Sequence, residues 1–234
     1  MKLMKINFLQ WDSDFFKKKI GDITLNNNNE NVDLSDNYDL IVIKQPSDFD
    51  INLADYDLSF KETKVNFIKS LNNTRYSDLE SVKDTDDTEK SIDFFKDLAY
   101  ESGKMSRFLL DKNFGETKFR ELYDMWIINS LNKKFAVKTF YLEEGEKAIG
   151  FVTVQKYDTL GKIGLIATHP QFQGKGFGKK LLNKAEQFCI ESGITHLEIP
   201  TQKENIQACS FYKKQGYDIK DEITIKHYWK NDPF

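Results

Sequence analysis

The stretch that most constrains this chain is HPQFQGKGFGKKLL, residues 169–182, where glycines at 174, 176 and 178 run straight into an apolar helical pattern. Upstream, KIGLIATH (162–169) has the apolar run of a strand. Downstream, Phe177, Leu181, Leu182, Ala185, Phe188 and Cys189 recur at spacings of three and four. Gly193 then stands in C-cap position, closing a helix of about five turns. In a strand that turns on glycines into a helix, the first four helical N–H groups point at the turn without an internal partner. With the positive end of the helix dipole behind them, they form an anion site that needs no metal. Gly174, Gly176 and Gly178 let phosphate groups approach the backbone, and Lys175 and Lys179 add charge at the rim. A glycine-rich turn that only starts a helix is the alternative.

Two familiar phosphate loops do not fit. The P-loop requires Ser or Thr after its Gly-Lys, because that hydroxyl holds magnesium. Here Gly174-Lys175 is followed by Gly176, and Gly178-Lys179 by Lys180. The dinucleotide fingerprint G-x-G-x-x-G requires a third glycine at position 179, which is Lys179. What fits is Q-x-x-G-x-G, on Gln173, Gly176 and Gly178, with Gly174 extra.

A chain of 234 residues has room for one large domain or two small ones. Aromatics at 14% and mixed charges describe a globular protein, which excludes a disordered one. Residues 1–100 carry 20 Asp and Glu against 13 Lys and Arg; the remainder carries 17 against 21. A mildly basic second half suits a small anionic ligand, whereas a nucleic-acid surface needs a strong basic stripe. Cys189 and Cys209 fall inside expected helices without metal-ligand spacing, which predicts reduced thiols and a reducing compartment. MKLMKINFLQWDSDFFKKK contains no apolar run long enough for a signal peptide, and no window approaches a membrane span, so a cytoplasmic protein is expected.

The first hundred residues read as strands and short loops, with IVIKQ (41–45) a buried strand. The polar run SVKDTDDTEK (81–90) reads as a surface loop or linker, which divides the chain into 1–100 and 101–234. Residues 117–132 carry apolar positions at helical spacing. KTFYLEE (138–144) and AIGFVTVQKY (148–157) form a hairpin across Gly145-Glu146-Lys147. HLEIPTQ (196–202) is a short strand, Asn205 N-caps a helix that ends at Gly216, and GYDIKD and EITIKHYW read as two last strands. The expected fold is α/β (α+β), a mostly antiparallel central sheet flanked by helices.

One strand beyond the glycine loop comes N205-I-Q-A-C-S-F-Y212-K-K-Q-G-Y217. Together the two motifs resemble the GNAT superfamily of acetyl-CoA-dependent N-acetyltransferases, over about residues 105–230. The resemblance implies that the Gln173–Lys179 loop cradles the coenzyme A pyrophosphate, and that Asn205 and Tyr212 lie near the thioester. W11-D-S-D-F-F16 with I20-G-D-I23, and Ser106-Arg107-Phe108 with Phe119, Tyr123 and Trp126, are similar to TDP-fucosamine acetyltransferases, which acetylate a 4-amino sugar on a thymidine diphosphate carrier. Lys17 departs from that pattern, standing where a glycine commonly follows the paired aromatics. The expected partner is therefore a small-molecule amine, a TDP-linked amino sugar, with neither nucleic acid nor membrane; a homodimer is compatible with this.

In such a site the backbone of Ile166, Ala167 and Thr168 pairs with the pantetheine amides like an added strand, and one N–H there polarises the thioester carbonyl. Tyr212 donates to the departing sulfur, or else packs on the core face of its helix. Glu198 is the nearest sequence candidate for a base, with a solvent-facing role as its alternative; the base stays unassigned. Arg107, one of three arginines, is a candidate for the sugar diphosphate, with a surface ion pair as the alternative. Trp11 and Trp126 are candidates for stacking on thymine or sugar, with core packing as the alternative. Two other functions remain open: a peptide or protein N-terminus as acceptor, and a non-catalytic acyl-CoA-binding module.

Overall fold

The computed structural model describes residues 3–72, 76–87 and 90–231. The chain begins with β1 (Leu3–Met4), β2 (Asn7–Phe8), α1 (Gln10–Phe16), β3 (Ile20–Thr24), β4 (Asn31–Val32), β5 (Leu40–Gln45) and the long β6 (Tyr56–Ser70). A two-residue β7 (Lys83–Asp84) precedes α2 (Lys96–Ser102), α3 (Arg107–Leu110) and α4 (Glu116–Leu131). There follow β8 (Lys138–Glu144), β9 (Lys147–Tyr157), β10 (Leu160–Thr168), α5 (Phe177–Glu191), β11 (His196–Gln202), α6 (Ile206–Lys214) and β12 (Asp218–Lys230).

Ten strands form one sheet in the order β2-β3-β5-β12-β6-β11-β10-β9-β8-β7, and β1 and β4 pair separately. Only β3–β5 and β10–β11 are parallel within the large sheet, as the mostly antiparallel expectation requires. One face packs against α1, α2 and α4 through Phe16, Phe95, Leu98, Phe119, Leu122, Phe151, Leu165 and Ile225. The other packs against α5 and α6 through Val65, Phe67, Val152, Leu181, Leu182, Leu197, Ile199 and Tyr212. Alternate residues along each strand point to opposite faces, so each central strand serves both layers.

Two expectations are corrected. GYDIKD and EITIKHYW are one strand, β12; a register shift between Ile219 and Asp221 changes the phase of the side-chain alternation and makes a single strand read as two. The polar run at 81–90 contributes β7, which pairs with β8 at the sheet edge; Thr88 and Glu89 lie outside the described residues. Across the division expected near residue 100 the sheet runs unbroken. β6, from the first hundred residues, is hydrogen-bonded to β11 on one side and β12 on the other. Cys189 is buried and Cys209 half-buried, both free thiols. Among the described residues no helix is long and apolar enough to cross a membrane.

Candidate active site

β10 and β11 are paired only from Leu160 to Lys162, against His196 to Glu198. Beyond those three positions they part. β10 continues against β9 and β11 against β6, so the edges they turn toward each other carry backbone groups without a strand partner. A cavity of about 1300 Å³ opens here and runs from the α5 N-terminus to the space beneath α1, α3 and α4. Ile166, Ala167 and Thr168 line it from β10, and Ile199 to Gln202 from β11.

At one end of the cavity lies the glycine turn. Gly174 and Gly176 have φ of 76° and 85°, and an added Cβ at either would meet nothing within 4 Å. Backbone conformation, not space, therefore demands glycine there. Gly176 is the N-cap of α5; no side chain caps this helix and no acidic residue occupies its first turn. The amide of Lys180 is the first to bond back, to the Gly176 carbonyl at 3.1 Å, so those of Phe177, Gly178 and Lys179 have no acceptor within the helix. Gly178 and Lys179 line the cavity. Lys175 does not; its Nζ lies over the Phe172 ring, 4.9 Å from the centroid. Gln173 braces the turn: its Nε2 donates to the Thr168 carbonyl at 3.0 Å and to Glu101 Oε1 at 3.2 Å, and its Oε1 accepts from Gln207 Nε2 at 3.1 Å. These free amides and open glycines suit a pyrophosphate.

Asn205 accepts from the Ala208 amide at 3.2 Å, capping α6 while also lining the cavity. Tyr212, about two turns further along, is 5% exposed and lines the cavity too, with its ring centroid 5.5 Å from that of Phe67. Burial raises its pKa, so the phenol is fully protonated at neutral pH.

The other end of the cavity is floored by the opposite face of the sheet. Ladder register sets three cross-strand rows there: Lys44, Ile225 and Glu62; Ile223, Lys64 and Gln202; Asp221, Asn66 and Pro200. All nine line the cavity. α1 contributes Trp11 and Asp12 to the walls, α3 contributes Arg107, and α4 contributes Tyr123 and Trp126. The structure thus brings Arg107, Trp11 and Trp126 to one chamber. Trp11 is 48% exposed and stacks on Phe15, with centroids 5.2 Å apart, so it is not a core residue. Trp126 is half-buried against Tyr123 and Phe108.

Burial governs the charges of this chamber. It lowers the pKa of Lys64 and Arg107 and raises that of Asp12. Glu62 is 5% exposed, its Oε2 has no hydrogen-bond partner among the described residues, and burial pushes its pKa up to about 7 against the pull of Arg107. Glu198 stands elsewhere. It is buried outside the cavity and ion-paired with Lys220, so neither its solvent-facing role nor its role as a base is realised.

Sequence reasoning missed Glu62, Lys64 and Asp12. Asp12 sits within the W-D-S-D-F-F stretch, and the only sequence signal of the other two is the alternation in KETKVNF, with Glu62, Lys64 and Asn66 on one face and Val65 and Phe67 on the other. A charged strand face of that kind reads the same whether it meets solvent or a cavity.

Residues 104–217 match the sequence model of the Acetyltransferase (GNAT) family. The spore coat polysaccharide biosynthesis protein SpsD of Bacillus subtilis is 28% identical over 134 residues, 57% of this chain and 46% of SpsD. The uncharacterized protein YxbD of the same organism is 33% identical over 78 residues, 33% of this chain and 48% of YxbD. The chain spans about half the length of these curated relatives. A solved structure from Novosphingobium aromaticivorans, attributed to the GNAT acetyltransferases, superposes with a TM-score of 0.57 at 12% identity, covering 84% of this chain and 77% of that one, and so shares its fold.

Proposed function

We propose that the protein, whose residues 104–217 match the acetyltransferase (GNAT) family model, transfers an acetyl group from acetyl-CoA to the amine of a nucleotide-linked amino sugar. One observation carries this reading: a single cavity joins the free amides of α5, the unpaired edge of β10, Tyr212, and a charged chamber with aromatic walls. Acetyl-CoA supplies the acetyl group as a thioester. The amides of Gly178 and Lys179 hold its pyrophosphate, with the Lys179 ammonium at the rim. The edge of Ile166, Ala167 and Thr168 takes the pantetheine as an added strand, and an N–H there polarises the carbonyl. Asn205 orders the start of α6, which sets Tyr212 to donate from its hydroxyl to the sulfur. Because burial raises the Tyr212 pKa, the hydroxyl acts chiefly by that hydrogen bond.

On the acceptor side, the Arg107 guanidinium offers a fork matched to a diphosphate, and Trp11 offers an exposed ring face for a base or sugar. The likeness to a protein named for polysaccharide biosynthesis supports a sugar acceptor, and the W-D-S-D-F-F and Ser106-Arg107-Phe108 resemblance narrows it to a TDP-linked 4-amino-6-deoxy sugar. The test is coenzyme A release, measured with acetyl-CoA against a panel of TDP-amino sugars and N-terminal peptides. Release with an amino sugar is expected. Release with peptides alone replaces the acceptor, and bound acetyl-CoA without release in any well leaves a binding module.

A further inference from the structure

Resting on the acetyl-transfer reading, we propose that Glu62 holds the acceptor's amine and takes its proton. Five carboxylates line the cavity: Asp12, Glu62, Glu101, Asp221 and Glu222. Three are engaged. Glu101 bonds to Gln173 and Lys104, Asp221 accepts from Asn66 Nδ2, and Glu222 pairs with Lys203 at 2.7 Å. Asp12 is only half-buried, at the chamber wall. Glu62 alone combines burial with a carboxylate oxygen that no described residue satisfies.

Its surroundings explain what it lacks. Along β6, Lys64 lies two residues on, about 6.6 Å away by strand rise. Across the sheet stand Ile225 and then Lys44, whose ammonium is taken by Asp22. Arg107 faces Glu62 from α3, Asp12 from α1 and Tyr123 from α4, while Glu204 approaches through the Thr63 amide. None forms an ion pair with Glu62 within the structure. A buried carboxylate without a partner is stable only if it is protonated or meets a cation. The acceptor brings that cation, because an alkyl ammonium near the lysine value is neutral in only about one molecule per thousand at pH 7.

Position completes the argument. Tyr212 packs on Phe67, on the odd-numbered face of β6, and Glu62 is on the even-numbered face. The proton acceptor and the hydroxyl donor therefore address the β10–β11 gap from opposite sides of the sheet. The bound ammonium first gives one proton to the Glu62 carboxylate, which passes it to solvent and leaves the nitrogen lone pair free. As the new N–C bond forms and the C–S bond breaks, the nitrogen loses its second proton to Glu62. The sulfur gains one through the hydrogen bond from Tyr212 Oη, and both side chains are reset through solvent.

Carbon-13 NMR of the glutamate carboxyls, in the full chain with and without cyclohexylamine as a bare ring-amine probe, tests the site apart from turnover. A signal absent from Glu62→Gln is expected to titrate near pH 7 and to move to lower pH when the amine is added. An ordinary carboxylate titration, or no response to the amine, overturns the proposal. Glu62→Asp provides the assignment should the glutamine variant fail to fold. With the best acceptor from the coenzyme-release panel, wild-type kcat/KM should rise through about pH 7 and kcat through a lower pH. Glu62→Gln should lose that limb and about a hundredfold in kcat, at unchanged acetyl-CoA affinity; an unaltered profile also overturns it. If the NMR result holds while no sugar is acetylated, the amine site stands and the sugar acceptor falls.

Discussion

Glu62 costs the protein stability, and the sign of that cost can be measured. Burial raises its pKa from 4.5 to about 7, so between those values the folded state binds more protons than the unfolded chain. Stability therefore falls as pH rises through that window, and above pH 7 the full penalty is about 3 kcal/mol. Glu62→Gln removes it. Urea unfolding should show the variant gaining about 3 kcal/mol on wild type between pH 4 and pH 8, and a constant difference would mean a solvated carboxyl. Tyr212 calls for the opposite kind of test. Tyr212→Phe keeps the ring that packs on Phe67 and removes only the hydroxyl. Turnover should fall by about a hundredfold or more while acetyl-CoA affinity barely changes; joint loss of stability and binding would mark a packing residue. Among cavity-lining residues, those whose spacing forms a motif, such as Gln173, Gly176 and Gly178 or Asn205 and Tyr212, could be singled out from sequence. Glu62 could not, because its burial is set by elements distant in the chain.

At the scale of elements, α5 was legible because glycines bound it at both ends, and β8, β9 and β10 because their apolar runs are short and cleanly interrupted. β6 was obscured by its charged cavity face, and β12 was split in the reading by its register shift. α1 shows a further departure with a physical cause. It ends at Lys17 with φ of 55°, the left-handed conformation that glycine adopts without strain. A side chain with a Cβ is strained there, and the exposed Lys17 has no compensating ion pair among the described residues. Lys17→Gly should stabilise the protein by about 0.5–1 kcal/mol, seen as a higher denaturation midpoint at unchanged m-value. A lower midpoint would show that unfolded-chain entropy outweighs the relieved strain.

For the whole molecule, the fold class followed from the order of elements, whereas strand order did not. The centre of the sheet is β12-β6-β11, which joins residues near 60 to residues near 200 and 225. No local pattern specifies pairings of that sequence separation. Without β6, β11 and β12 would each lose a hydrogen-bonded neighbour and the charged chamber its floor. The first hundred residues thus supply much of the charged end of the cavity, and the segment from 160 to 216 shapes the end at the glycine turn.

The most direct test of the central claim, that the glycine turn and the parted strands form an acetyl-CoA site, is calorimetric titration of acetyl-CoA in EDTA with wild type and Gly176→Val. At φ of 85° valine is strained although it has room, so the turn must rearrange and re-aim the α5 amides. Saturable binding without metal in the wild type, weakened at least about tenfold in a variant that still melts cooperatively, is the predicted result. Equal binding by both proteins, or none by the wild type, would contradict it.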